Sequence, residues 1–148
     1  MILPIALTAA AAAALLHIWL ASRVSRLRRT HHISIGDKGN EAVLTRMRAH
    51  ANFAENIPIF LVLLALVELG TGSELWLWIV ALLFILARLL HAFGMDRPAP
   101  NAPRMVGMGL TVLLLVGLAG YAIYLSYAER PQPRRFDAPV TRAEAPLT

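Results

Sequence analysis

The sequence predicts an all-α fold, a four-helix transmembrane bundle, and three observations predict it. Hydrophobic residues make up 57% of the 148-residue chain, and its mean hydropathy is +0.59, too apolar for an ordinary soluble domain. The apolar residues gather into four runs, at residues 2–21, 49–69, 75–93 and 105–128. Each run is close to the ~20 residues a helix needs to cross the hydrocarbon of a bilayer. Charges and helix breakers fall between the runs and after them. Residues 1–128 thus form one membrane domain, and the Pro-rich, charged stretch 129–148 reads as a disordered tail.

The first run is alanine-rich and uncharged, which suits close helix packing in lipid. A cleavable signal peptide carries its positive charge ahead of the apolar stretch. Here nothing basic precedes Ile2, and Arg23, Arg26, Arg28 and Arg29 follow the run. That order describes a retained helix with its C-terminal end in the cytoplasm. His17 near that end reads as an incidental interfacial histidine.

In the first loop Gly36 and Gly39 mark turns, and Asn40 is placed to cap a second helix beginning near Glu41. That helix runs past Leu66 and through Pro58, which membrane helices tolerate when neighbours satisfy the freed carbonyl. An outer turn at residues 70–73 follows, with Trp76 and Trp78 behind it as an interfacial aromatic belt. Glu68 and Glu74 flank this turn and are expected to be solvated. The third helix ends in Ala87-Arg88-Leu-Leu-His91. After the breaker-rich loop 96–103, Pro103 suits the first turn of a fourth helix with Arg104 beside it. Gly107, Gly109, Gly117 and Gly120 are its expected close-packing positions.

The first loop and its flanks hold Arg23, Arg26, Arg28, Arg29, Lys38, Arg46 and Arg48, and the third loop adds Arg97 and Arg104, whereas the other side has the tail residues Arg130, Arg134, Arg135 and Arg142. The positive-inside rule therefore puts both of these loops in the cytoplasm and both termini outside, in the periplasm of a bacterial inner-membrane protein. The net charge of +5 does not describe a nucleic-acid binder, because the arginines flank apolar helices, where they meet anionic membrane lipid. No metal site is expected, and the absence of cysteine leaves the compartment open.

The second helix carries Arg48, Asn52 and Glu55 at i, i+4 and i+7, so the three project from one face. A cation, an amide and a carboxylate on one stripe at the mouth of a membrane helix make a surface for a small zwitterionic ligand. An unpaired ionisable group near the bilayer centre costs at least about 2.5 kcal/mol, so Glu55, Arg88 and His91 are expected to face protein. Together with Arg104 these residues place a polar cluster from three helices at the cytoplasmic end, which reads as a site. The plainer alternative has Arg48 snorkelling to the interface and Arg88 paired with Glu55 as a structural salt bridge.

Two motifs resemble the MAPEG family, membrane-associated proteins in eicosanoid and glutathione metabolism. Arg48-Ala-His50-Ala-Asn52-Phe-Ala-Glu55-Asn-Ile-Pro58 is similar to the family's Arg-Ala-x-x-Asn-x-x-Glu run at the start of helix two. Ala87-Arg88-Leu-Leu-His91, followed after the Pro-rich loop by Arg104, has the spacing of the microsomal prostaglandin E synthase branch. The resemblance covers about residues 23–127. It implies a homotrimer with glutathione bound between neighbouring subunits near the cytoplasmic face. By position, Arg48, Asn52 and Glu55 would hold the peptide's charged and amide groups, and Arg88 and His91 would line the same pocket. A first-loop arginine, Arg23, Arg26 or Arg28, would also reach the ligand, with Arg26 the choice carried forward.

The resemblance puts Arg104 beside the glutathione sulfur. Only a thiolate attacks electrophiles, and a free thiol ionises near pH ~8.5. A fixed cation favours the ionised form, and the N-terminus of helix four acts in the same sense. The chain departs from the family at Met95, where the prostaglandin branch has tyrosine, and at Met105, where that branch has serine. Asn56 stands where the leukotriene branch has tyrosine. Two functions are therefore expected as alternatives. One is a glutathione transferase or peroxidase acting on a lipophilic small molecule delivered from the bilayer. The other is a non-catalytic scaffold or small-thiol sensor that keeps the fold.

Overall fold

The computed structural model describes residues 2–128, which form four helices. These are α1 (Pro4–Thr30), α2 (Glu41–Thr71), α3 (Leu75–Gly94) and α4 (Ala102–Ala128). No strand occurs among the described residues, and all four helices are long and apolar enough to span a membrane. The chain is thus an all-α four-helix membrane bundle. The tail expected at residues 129–148 lies outside the described residues.

The elements begin and end for local reasons that the sequence announces. Asn40 caps α2, its Oδ1 accepting from the Val43 N–H at 3.1 Å. Gly72, at φ 85°, supplies the left-handed backbone that ends the same helix. Pro58 sits inside α2 without interrupting it. At 1.5 Å per residue, the 27 residues of α1 and the 31 of α2 extend about 40 and 46 Å. Both overshoot a hydrocarbon core of about 30 Å, so Arg23, Arg26, Arg28 and Arg29 stand on a helical extension of α1 rather than in a loop.

α1 packs on α2 and α3, α4 packs on the same pair from elsewhere, and α1 and α4 make no contact among the described residues. The core follows helical spacing. Ile5, Ala9, Ala13, Leu16 and Leu20 of α1 meet Phe53, Ile57, Phe60 and Leu64 of α2, and Leu77, Ala81 and Phe84 of α3. At its centre the Phe60 and Phe84 rings stack at 3.6 Å, adding specific geometry to the burial of two large apolar side chains.

Two expectations are corrected. Glu68 is buried rather than solvated, and it binds the start of α1: its carboxylate accepts from the Ile5 N–H at 3.0 Å and the Ala6 N–H at 2.8 Å. Ser73 Oγ donates to it as well, at 2.8 Å. A helix start leaves its first N–H groups without partners, and in lipid that is costly. Glu68 answers two of them with a full negative charge at the positive end of the helix dipole. Glu74 is exposed, as expected.

The glycines of α4 also divide. Gly107 lies against the α3 backbone, where a Cβ would stand 2.6 Å from His91 N and 2.7 Å from Ala87 O. Gly109, Gly117 and Gly120 face open space in the protomer. Gly94 makes the reciprocal contact from α3, with the backbone of Arg104 pressed where its side chain would be. Two glycines therefore bring α3 and α4 together at the end where the polar residues gather.

Candidate functional site

A cleft of about 880 Å³ opens where α2, α3 and α4 meet the α3–α4 loop. Arg48, Asn52 and Glu55 line it from α2, His91 from α3 and Arg104 from α4. The i, i+4, i+7 stripe read from the sequence therefore faces one space, together with the head of α4. Arg48, Glu55 and Arg104 are exposed. Their side chains take no part in a hydrogen bond or ion pair among the described residues. The Arg88–Glu55 salt bridge weighed as an alternative does not form within the protomer.

Arg88 lies behind this surface rather than on it. It is 1% exposed, and Nη2 donates to Asn52 Oδ1 at 2.8 Å while Nη1 reaches Thr111 Oγ1 at 3.4 Å. Its Nε has no partner, and the Phe53 ring lies 5.8 Å from the guanidinium carbon. Thr111 in turn donates to Gly107 O at 2.8 Å. This buried cation thus ties α2, α3 and α4 together directly beneath the cleft. No carboxylate among the described residues neutralises it, so the cleft stands over a net positive field.

The head of α4 is held at several points. Asn101 Oδ1 accepts from the Arg104 N–H at 3.0 Å, and His91 Nδ1 lies 3.3 Å from Arg104 O. The α3–α4 loop is fixed from the other side by Asp96, which pairs with the buried Arg23 of α1 and lies 3.5 Å from Arg46 Nε of α2. These two links escaped the sequence reading. Asn101 carried a signal, being a capping residue directly ahead of Ala102 and Pro103. Asp96 carried none, because its partners lie far away in sequence.

Arg26 is not brought to the cleft within the protomer. It is exposed, bonds Ser22 O of its own helix at 3.4 Å, and lines a separate depression with Trp19, Arg23 and Arg46. His17, expected to be incidental, meets His50 with Nε2 atoms 3.4 Å apart and rings tilted at 4.5 Å. Met95, Met105 and Met108 give the cleft its apolar wall, and no hydroxyl side chain is among its lining residues.

The pattern that defines the MAPEG family matches residues 6–124. Among curated proteins, the chain is 34% identical over 82 residues to the inner membrane protein YecN of Escherichia coli strain K12. The same identity holds for YecN of Escherichia coli O6:H1. The aligned stretch is 55% of this chain and 62% of the relative, so the chain spans less than two thirds of the length of the curated relatives it matches. The family match, in contrast, runs through all four membrane helices and every cleft residue named above. On that match, the chain belongs to the MAPEG family and is a membrane protein.

Proposed function

We propose that this protein binds glutathione in the α2–α3–α4 cleft and acts as a membrane glutathione transferase or peroxidase on lipophilic electrophiles. One observation carries the reading: Arg48, Glu55 and Arg104 line one cleft and have no partners of their own among the described residues. Glutathione offers two carboxylates, one ammonium and one thiol. Guanidinium groups bind carboxylates in a fork, and Glu55 is the acid that answers the ammonium. The cleft volume, about 880 Å³, lies in the roughly 300–1,000 Å³ range of small-molecule sites.

In this reading Arg104 is the catalytic residue. Its guanidinium holds the sulfur as thiolate, and the thiol proton leaves to water. The thiolate forms a C–S bond to an electrophilic carbon, and the displaced halide departs with its electron pair. Arginine stays protonated and so stabilises charge without acting as a base. Met95, Met105 and Met108 offer the electrophile an adaptable apolar wall.

The protein is proposed to work as a homotrimer in a bacterial inner membrane, with both termini outside and the cleft near the cytoplasmic face. A neighbouring copy would close the open side of the cleft and bring Arg26 to the ligand. The second reading is a non-catalytic scaffold or small-thiol sensor, favoured by the lack of a hydroxyl among the cleft residues. Turnover of a lipophilic aryl halide with glutathione separates the two. Under the first reading, Arg104→Ala abolishes conjugation and leaves glutathione binding largely intact. Wild-type protein that binds glutathione yet turns over nothing across a broad electrophile panel supports the second.

A further inference from the structure

We propose that Asn101 is the positioning residue that aims Arg104 at the thiol, an inference that rests on the glutathione reading above. Asn101 lines the cleft, but its polar atoms are spent on the protein. Its Nδ2 donates to Gly94 O at 2.9 Å and Pro98 O at 3.1 Å, with Arg97 O at 3.4 Å. Its Oδ1 accepts from the Arg104 N–H at 3.0 Å. An amide has two N–H bonds to give, and three carbonyls already compete for them. Asn101 therefore acts through Arg104 and has no donor left for a ligand.

Both backbone groups of Arg104 are held by residues of the cleft, the N–H by Asn101 and the carbonyl by His91. Gly94 presses on the same backbone from beneath. The arrangement also thins the usual alternative source of anion stabilisation at a helix start, leaving the Ala102 N–H as its remaining donor. Pro103 has no N–H, the Arg104 N–H is taken by Asn101, and the Met105 N–H bonds Asn101 O at 3.2 Å. The Arg104 guanidinium is then the cation this helix start offers to the sulfur, and Asn101 fixes the backbone from which it projects. The same side chain joins the end of α3 to the start of α4, so the loop and the cation move as one body.

The test measures glutathione affinity by calorimetry and the thiolate of bound glutathione by its ultraviolet absorbance across pH, on the purified full-length protein. Asn101→Ala is expected to change affinity by less than about twofold, because Arg48, Asn52 and Glu55 remain. It should lower the thiolate fraction at neutral pH at least about twofold, because a cation that is no longer held in place favours the ionised thiol less. Asn101→Ser, which restores the cap alone, should recover most of the thiolate. An unchanged thiolate profile in Asn101→Ala overturns the proposal, as does a loss in Asn101→Ala that Asn101→Ser fails to recover. A wild-type protein that takes up no glutathione sinks the glutathione reading instead, whereas one that binds it wholly as the neutral thiol overturns the role given to Asn101 and Arg104. Hydrogen exchange at the Arg104 amide then decides whether Asn101 pins that backbone: faster exchange in Asn101→Ala upholds the pinning, and unchanged exchange overturns it.

Discussion

Arg88 Nη2 donates to Asn52 Oδ1 across 2.8 Å, so the buried cation of α3 fixes which end of the Asn52 amide faces inward. With the oxygen engaged, the Nδ2 end is the one left to offer donors to the cleft that Asn52 lines. A charge-assisted bond of this kind contributes about 1.5–3 kcal/mol. The pair is at once a brace between helices and an orienting device for the central residue of the α2 stripe.

Two substitutions at Asn52 separate those roles. Asn52→Ala should destabilise the protein by about 1.5–3 kcal/mol, read as a fall in midpoint on thermal unfolding in detergent. Asn52→Asp keeps an acceptor for Arg88 and should hold the midpoint. It presents no donor and a negative charge to the cleft, so glutathione should bind at least about tenfold more weakly, a change of ~1.4 kcal/mol. Equal behaviour of the two variants in both measurements would contradict the assignment.

Helix α4 gives a comparison between two glycines two residues apart. Gly107→Ala should cost about 1–3 kcal/mol, because the new methyl group meets the α3 backbone, which has little room to move. Gly109→Ala meets nothing within 4 Å in the protomer and should be neutral or slightly stabilising by helix propensity. Thermal unfolding of both variants in one detergent checks the contrast.

At the opposite end of the bundle, Glu68→Ala strands the N–H groups of Ile5 and Ala6. A loss of about 1–3 kcal/mol is expected, with fraying of α1 visible in amide exchange at those residues. Glu74→Ala, on an exposed side chain, should stay within about 0.5 kcal/mol of the parent.

The loop that walls the cleft is tied down by Arg23 and Asp96. In a double-mutant cycle, Arg23→Gln and Asp96→Asn should each destabilise, and the pair should lose less than the sum of the single losses. A coupling of about 0.5–3 kcal/mol is the usual range for contacting charged partners. Additive losses would show that the contact does not hold the loop.

How much of this was legible beforehand depends on the range of the interaction. The Asn40 cap and the alignment of Arg48, Asn52 and Glu55 are fixed by spacing along one helix, and both were readable. The role of Glu68 was hidden because its partners are backbone N–H groups 62 and 63 residues away, and backbone carries no sequence signature. Arg88 was recognised as facing protein, but spacing alone could not say that it stands behind Asn52 instead of beside it. Small residues on α4 all looked alike in the sequence. Only Gly94 opposite Arg104 and Gly107 opposite His91 show where close approach is needed.

The most direct measurement is a calorimetric titration of glutathione into the purified wild-type protein, repeated with Arg48→Ala and Glu55→Gln. Saturable binding in the wild type, weakened at least about tenfold by each substitution (~1.4 kcal/mol), is the expected outcome. A wild type that takes up no glutathione, or variants that bind it as the wild type does, would contradict the cleft as a glutathione site.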